Sequence, residues 1–105
     1  MVIEYIRYSI PAERTQAFVD AYGRSADALL ASPHLLSYEL ARCEEEPTSF
    51  IVRLTWTSTD DHLQKFRGSP EFRRFFAEIR EHVNEIEEMR HYAVLQEQRK
   101  PGLPG

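Results

Sequence analysis

A chain of 105 residues, 42% hydrophobic and 29% charged, has room for one globular domain with a core near the lower end of comfortable size. Its formal net charge of −4 and pI near 5.5 supply no basic field for phosphate and argue against nucleic acid as a partner. No apolar run approaches the ~18 residues of a membrane span. No basic region leads into an apolar core at the N-terminus, so the cytoplasm is the expected compartment.

Residues 2–10, VIEYIRYSI, are β-branched and aromatic and read as a strand. Pro11 suits the first turn of a helix, where a missing N–H costs nothing. Phe18, Tyr22, Ala26 and Leu29, with Val19 and Leu30 beside them, then form one helical stripe. Gly23 within it suggests close packing or a bend, since it costs about 1 kcal/mol relative to Ala. Ser32-Pro33 ends the helix, because a residue before proline avoids the α region.

Residues 35–43 and 49–56 read as two strands around the acidic turn EEEPT. A hairpin symmetric about Glu46 sets Leu40 opposite Val52, Tyr38 opposite Leu54 and Glu39 opposite Arg53. Leu36, Tyr38, Leu40, Phe50, Val52, Leu54 and Trp56 then share one face. Cys43, the only cysteine, allows no internal disulfide, and the acidic neighbours Glu44, Glu45 and Glu46 disfavour its thiolate.

A helix is expected after the TSTDD turn, burying Leu63 and Phe66, with Asp60 and Asp61 as ordinary helix-start residues. Gly68 closes it, Ser69 caps the next helix and Pro70 begins it. That helix carries Phe72, Phe75, Phe76, Ile79 and Val83 on an amphipathic stripe, and the run of phenylalanines reads as core. MRHYAVL (89–95) reads as the closing strand, and residues 96–105 as a disordered tail or linker remnant.

The order βαββαβ, with a broken second helix, predicts an α+β, ferredoxin-like domain over residues 1–95 with a four-stranded antiparallel sheet and helices on one side. The other face would show Ile3, Tyr5, Arg7, Glu39, Ile51, Arg53 and Thr55. This mixture suits a homodimer surface, with Arg7, Glu39 and Arg53 as an ion-pair cluster between subunits.

With that order, the segment LTWTSTDDHLQKFRGSPEF resembles the antibiotic biosynthesis monooxygenase domains of the dimeric α+β-barrel superfamily. The most specific part is a Trp ending the third strand, a polar turn, His-Leu, then Ser-Pro-x-Phe. The resemblance implies a homodimer and, in many members, cofactor-independent oxidation of aromatic substrates. Trp56 stands where polyketide-oxidising members have a pocket tryptophan. His62 stands where they have a tyrosine and some quinol-oxidising members a histidine; Val52 replaces an asparagine. Ile6, Phe66 and Phe76 stand where haem-degrading members have an asparagine, a tryptophan and a histidine, which speaks against haem degradation.

The expected function is therefore oxidation of a phenol, quinol or polyketide-like aromatic by O₂. His62 would take a proton, its reference pKa of ~6.5 lying near working pH, and Trp56 would stack on the substrate. Tyr8, Tyr22 and Tyr38 offer apolar bodies with polar tips around the ligand, joined by Ile6, Val52, Phe66 and Phe76. A quinol anion can reduce O₂ directly, so no cofactor is expected. His34, His82 and His91 lack metal-ligand spacing, so no metal is expected either. The alternative is a non-catalytic accessory domain of the same fold that binds a small molecule or haem.

Overall fold

Alternation of buried and open positions along VIEYIRYS makes β1 (Val2–Ser9) the centre of the sheet: Val2, Glu4, Ile6 and Tyr8 face inward. The computed structural model describes residues 1–102. After β1 come a 3₁₀ turn (Ala12–Arg14), α1 (Thr15–Ala31), β2 (Leu35–Arg42) and β3 (Ser49–Trp56). A short π-type turn (Asp61–Phe66), α2 (Pro70–Ile79), a 3₁₀ segment (Arg80–Glu85) and β4 (Ile86–Ala93) complete the fold. The strands form one antiparallel sheet in the order β2-β3-β1-β4, the ferredoxin-like arrangement that the sequence predicts.

The hairpin register is the expected one, with Leu40 opposite Val52, Tyr38 opposite Leu54 and Glu39 opposite Arg53. Leu36 departs from it: a bulge between Leu35 and Ser37 turns Leu36 out to 53% exposure and puts Leu35 in the core beside Trp56. In α1 the buried stripe is Phe18, Ala21, Tyr22, Ser25, Ala28 and Leu29, while Leu30 is exposed and Ala26 half-buried. Gly23 does not pack closely; a Cβ there would meet nothing within 4 Å.

Ser69 caps α2 as expected, accepting the Phe72 N–H at 3.2 Å, with Pro70 in the first turn. Such a cap is worth about 1 kcal/mol. β4 starts at Ile86 and ends at Ala93, earlier at both ends than the sequence suggests, and Leu95 is exposed. Residues 94–100 carry no regular element; 103–105 of the expected tail lie outside the described residues.

On the sheet's open face Arg53 pairs with Glu39 at 3.3 Å, whereas Arg7 pairs with Glu87 at 3.6 Å, so the three expected ionic residues do not form one cluster within the chain. No helix among the described residues is long and apolar enough to cross a membrane.

Candidate functional site

Two stretches of one interlayer pack differently. Near β1's C-terminal end Phe18 fills the space against Tyr8, Tyr22 and Phe50, at ring separations of 4.7 to 5.3 Å. Toward α2 the layers enclose a cavity of about 250 Å³. Its walls are largely apolar: Ile6 and Leu54 from the sheet, Phe72, Phe75 and Phe76 from α2, and Met89 from β4. Its polar end is formed by Glu4, Trp56, His62 and Arg67.

Local chain geometry brings that end together. Trp56 closes β3, opposite Val2 and Leu35. Ser58 Oγ accepts the Asp61 N–H at 3.0 Å and Thr57 Oγ1 donates to Asp61, while Lys65 pairs with Asp61 at 3.0 Å; these contacts fix the start of the following turn. The Arg67 N–H reaches the His62 carbonyl, five residues back, at 3.3 Å, and this wide turn puts His62 and Phe66 inward together. Leu63, expected inside, is instead partly exposed, and His62 takes the buried place.

The indole and imidazole do meet. Their centroids are 4.5 Å apart with planes at 16°, and both rings are almost fully buried, at 1% and 4% exposure. The indole face expected to receive a substrate therefore carries His62. The indole N–H donates to Glu4 Oε1 at 3.0 Å, and His62 Nε2 lies 3.4 Å from the same oxygen. On the other side of the ring, His62 Nδ1 is 2.9 Å from His91 Nε2. The β1–β4 register sets His91 directly opposite Glu4, which closes the group.

Burial governs the charge states. It lifts the Glu4 carboxyl to about 7, against the lowering effects of the Trp56 hydrogen bond and the Arg67 charge. Burial, then Arg67 and His91, push the His62 imidazolium down to about 3, and His91 is lowered by burial and Arg67. With the imidazole neutral, the 3.4 Å approach of Glu4 and His62 is a polar contact rather than an ion pair.

Of the other expected site residues, Ile6, Tyr8, Tyr22, Phe66 and Phe76 line the cavity, Phe76 being 38% exposed. Tyr8 and Tyr22 share a 2.7 Å hydrogen bond, and burial pushes the Tyr8 phenol up to about 12. Val52 is buried outside the lining, and Tyr38 is half-buried against the core, also outside it. Of the phenylalanine run read as core, Phe66 and Phe75 are buried in it and Phe72 packs against it, and all three, with Phe76, also form a wall of the cavity.

Sequence reasoning missed Glu4, His91 and Arg67. Glu4 was detectable, because strand parity places it inward between Val2 and Ile6.

The profile of the family described as antibiotic biosynthesis monooxygenase matches residues 1–78. The chain is 29% identical over 77 residues to the uncharacterized protein YczJ of Bacillus subtilis, covering 73% of this chain and 81% of that one. A Bordetella bronchiseptica protein provisionally named as an antibiotic biosynthesis monooxygenase superposes with a TM-score of 0.79 at 18% identity, over 90% of this chain and 97% of its own. SnoaB of Streptomyces nogalater, a cofactor-independent oxygenase, superposes with a TM-score of 0.68 at 18% identity, over 95% and 96%. At such identities these two structures establish the shared fold.

Proposed function

The chain belongs to the antibiotic biosynthesis monooxygenase family, and from that premise we propose that it oxidises a small electron-rich aromatic, a phenol or quinol, with O₂ and no resident cofactor. The supporting observation is the cavity itself: apolar walls ending in a buried carboxylate, an imidazole and an indole. At about 250 Å³ it lies a little below the usual ~300 Å³ floor for ligand sites. It exceeds the ~150 Å³ of an apolar cavity that binds benzene. A one- or two-ring substrate fits that range, and a haem does not.

The chemistry begins with removal of a phenolic proton, since the phenolate gives up an electron to O₂ far more readily than the phenol. Glu4 is the proposed acceptor in place of His62. Its carboxyl is raised toward working pH, whereas the imidazole is too weak a base.

The line of polar contacts from Glu4 through His62 to His91 then gives the proton a way out. Protonated Glu4 passes it to His62 Nε2, His62 Nδ1–H passes one to His91 Nε2, and the half-buried His91 releases its Nδ1 proton to water. Glu4 is ionised again and both imidazoles are neutral but now protonated on Nε2, so their tautomers must exchange back through solvent before the next turnover. For a phenol with a free para position, one oxygen atom enters the ring to give a quinone and the other leaves as water; a hydroquinone gives its quinone by losing two electrons and two protons, and O₂ leaves as hydrogen peroxide. Arg67 at the cavity edge favours the phenolate.

The sheet's open face, with Ile3, Tyr5, Ile51 and Tyr92 among its charges, is proposed to pair two chains in the cytoplasm as a homodimer. Sedimentation as a monomer at micromolar concentration contradicts that pairing.

Oxygen uptake with a panel of hydroquinones and naphthols tests the oxidation. Expected is quinone formation that falls at least ~100-fold in Glu4→Gln, the scale of a lost general base. Binding without oxygen uptake would favour the accessory ligand-binding alternative, and uptake unchanged by Glu4→Gln would remove this site from the chemistry.

A further inference from the structure

Beyond proton transfer, we infer that Glu4, His62 and His91 form a binding site for one divalent first-row transition cation. Their candidate ligand atoms, one from each residue, all lie within 4.8 Å of one another, and the residues come from three separate elements: β1, the Asp61–Phe66 turn and β4. The register of β1 with β4 holds Glu4 and His91 side by side, and the stacking of His62 on Trp56 holds the third ring in place.

The imidazole spacing suits a metal. Two nitrogens bound at ~2.0–2.1 Å lie ~2.9 Å apart when their bonds meet at a right angle, and ~3.4 Å apart in a tetrahedron. His62 Nδ1 and His91 Nε2 are already 2.9 Å apart. A cation of octahedral preference enters between them without spreading the rings, whereas a tetrahedral one must open the gap by roughly half an ångström. The Glu4 carboxylate, whose present contact is with the opposite ring nitrogen of His62, must close on the ion from within 4.8 Å.

Ligand chemistry narrows the choice further. Two imidazoles with one carboxylate suit iron, cobalt, nickel or zinc, while magnesium and calcium prefer oxygen-only shells. Both rings are held neutral by burial, the form in which a nitrogen lone pair can bind a metal. Glu4 has the outer support typical of a metal-bound carboxylate, the indole N–H at 3.0 Å. Because Glu4 and His62 also line the cavity, the remaining coordination positions open toward that space.

Arg67 is the opposing charge. The residue lines the same cavity, and among the described residues its guanidinium donates to the Met89 sulfur at 3.6 Å. A second cation there is repelled, which limits affinity and gives the inference a signed test. A bound ion also occupies lone pairs of the proposed proton path, so metal loading should slow any aromatic oxidation.

The test is Co²⁺ titrated by calorimetry and visible absorption into full-length protein dialysed against chelator, with no aromatic substrate present. A failed oxidation assay therefore leaves this result untouched. One Co²⁺ per chain is expected, undisturbed by excess Mg²⁺. His91→Ala and His91→Gln should each weaken it at least ~10-fold, the smallest loss seen when a supporting partner is removed. Arg67→Gln should tighten binding, and His34→Ala, which removes a ring 4.0 Å from Asp61 outside the cluster, should leave it unchanged. Absence of saturable binding, equal binding in folded His91→Ala and His91→Gln, or weaker binding in Arg67→Gln would overturn the site.

Discussion

The protein buries two histidine–glutamate pairs, and their surroundings differ. His82 lies 2.9 Å from Glu85, with the Phe18 ring edge-on against it, and Arg14 reaches the same carboxylate oxygen at 3.2 Å. The negative charge there has a cation in contact, the imidazole packs against Phe18, and Glu85 borders an open surface groove with Ser9, Pro11, Asn84 and Glu87 rather than an apolar cavity. Glu4, beside the neutral His62, has no cation within ion-pair distance among the described residues, and both face a cavity. A buried polar pair is therefore no sign of function by itself. Function is indicated where burial leaves a carboxylate without a bonded cation and next to room for a ligand.

Exchanging polar groups breaks this comparison most strongly. Glu4→Gln is expected to cut aromatic oxidation at least ~100-fold, while His82→Gln keeps turnover and loses roughly 1–3 kcal/mol of stability through an imperfectly satisfied buried site. Parallel oxygen-uptake assays and denaturant melts read both effects, and equal losses of turnover would erase the distinction.

Packing comes next in size. Phe18→Ala, at the filled end, should cost ~3–5 kcal/mol. Phe76→Ala, at the exposed rim of the cavity, should cost far less and shift binding toward larger rings; a urea melt and a ligand series would show both.

The Tyr8–Tyr22 pair sharpens the boundary between the two regions. Tyr8 keeps its proton to about 12 in the fold but releases it near the ordinary phenol value of 10.0 when unfolded. The folded state then holds that proton more tightly. Its contribution is intact below pH 10 and lost as pH rises toward 12. Ultraviolet titration should show late phenol ionisation that Tyr8→Phe diminishes.

Smallest is Gly23→Ala, on an open helix face, which should stabilise by up to about 1 kcal/mol in thermal melts without altering turnover.

Much of the fold could be read from alternation alone. The pairs Glu39–Arg53 and Leu40–Val52 follow from hairpin symmetry, and Ser69-Pro70 marks the start of α2. Leu36 was misplaced because a bulge inserts a residue without changing the apolar pattern around it. Trp56 and His62 were legible as members of one site, and the structure stacks their rings on each other. Their surroundings were harder to read. Helical spacing identifies an inward phenylalanine but cannot tell whether another side chain or empty space lies opposite, so Phe72 and Phe75 look the same in either case. His91 enters the site through β-sheet register, which depends on a strand distant in sequence.

The most direct measurement of the central claim uses Trp56, the only tryptophan of the chain, as a reporter at the cavity wall. Its fluorescence should be followed as a naphthohydroquinone is added without oxygen to chelator-treated protein. A ligand-accessible cavity predicts a saturable change at one ligand per chain, weakened when Phe76→Trp narrows the entrance and its own emission is accounted for. A linear, unsaturable change, the same in both proteins, would contradict it.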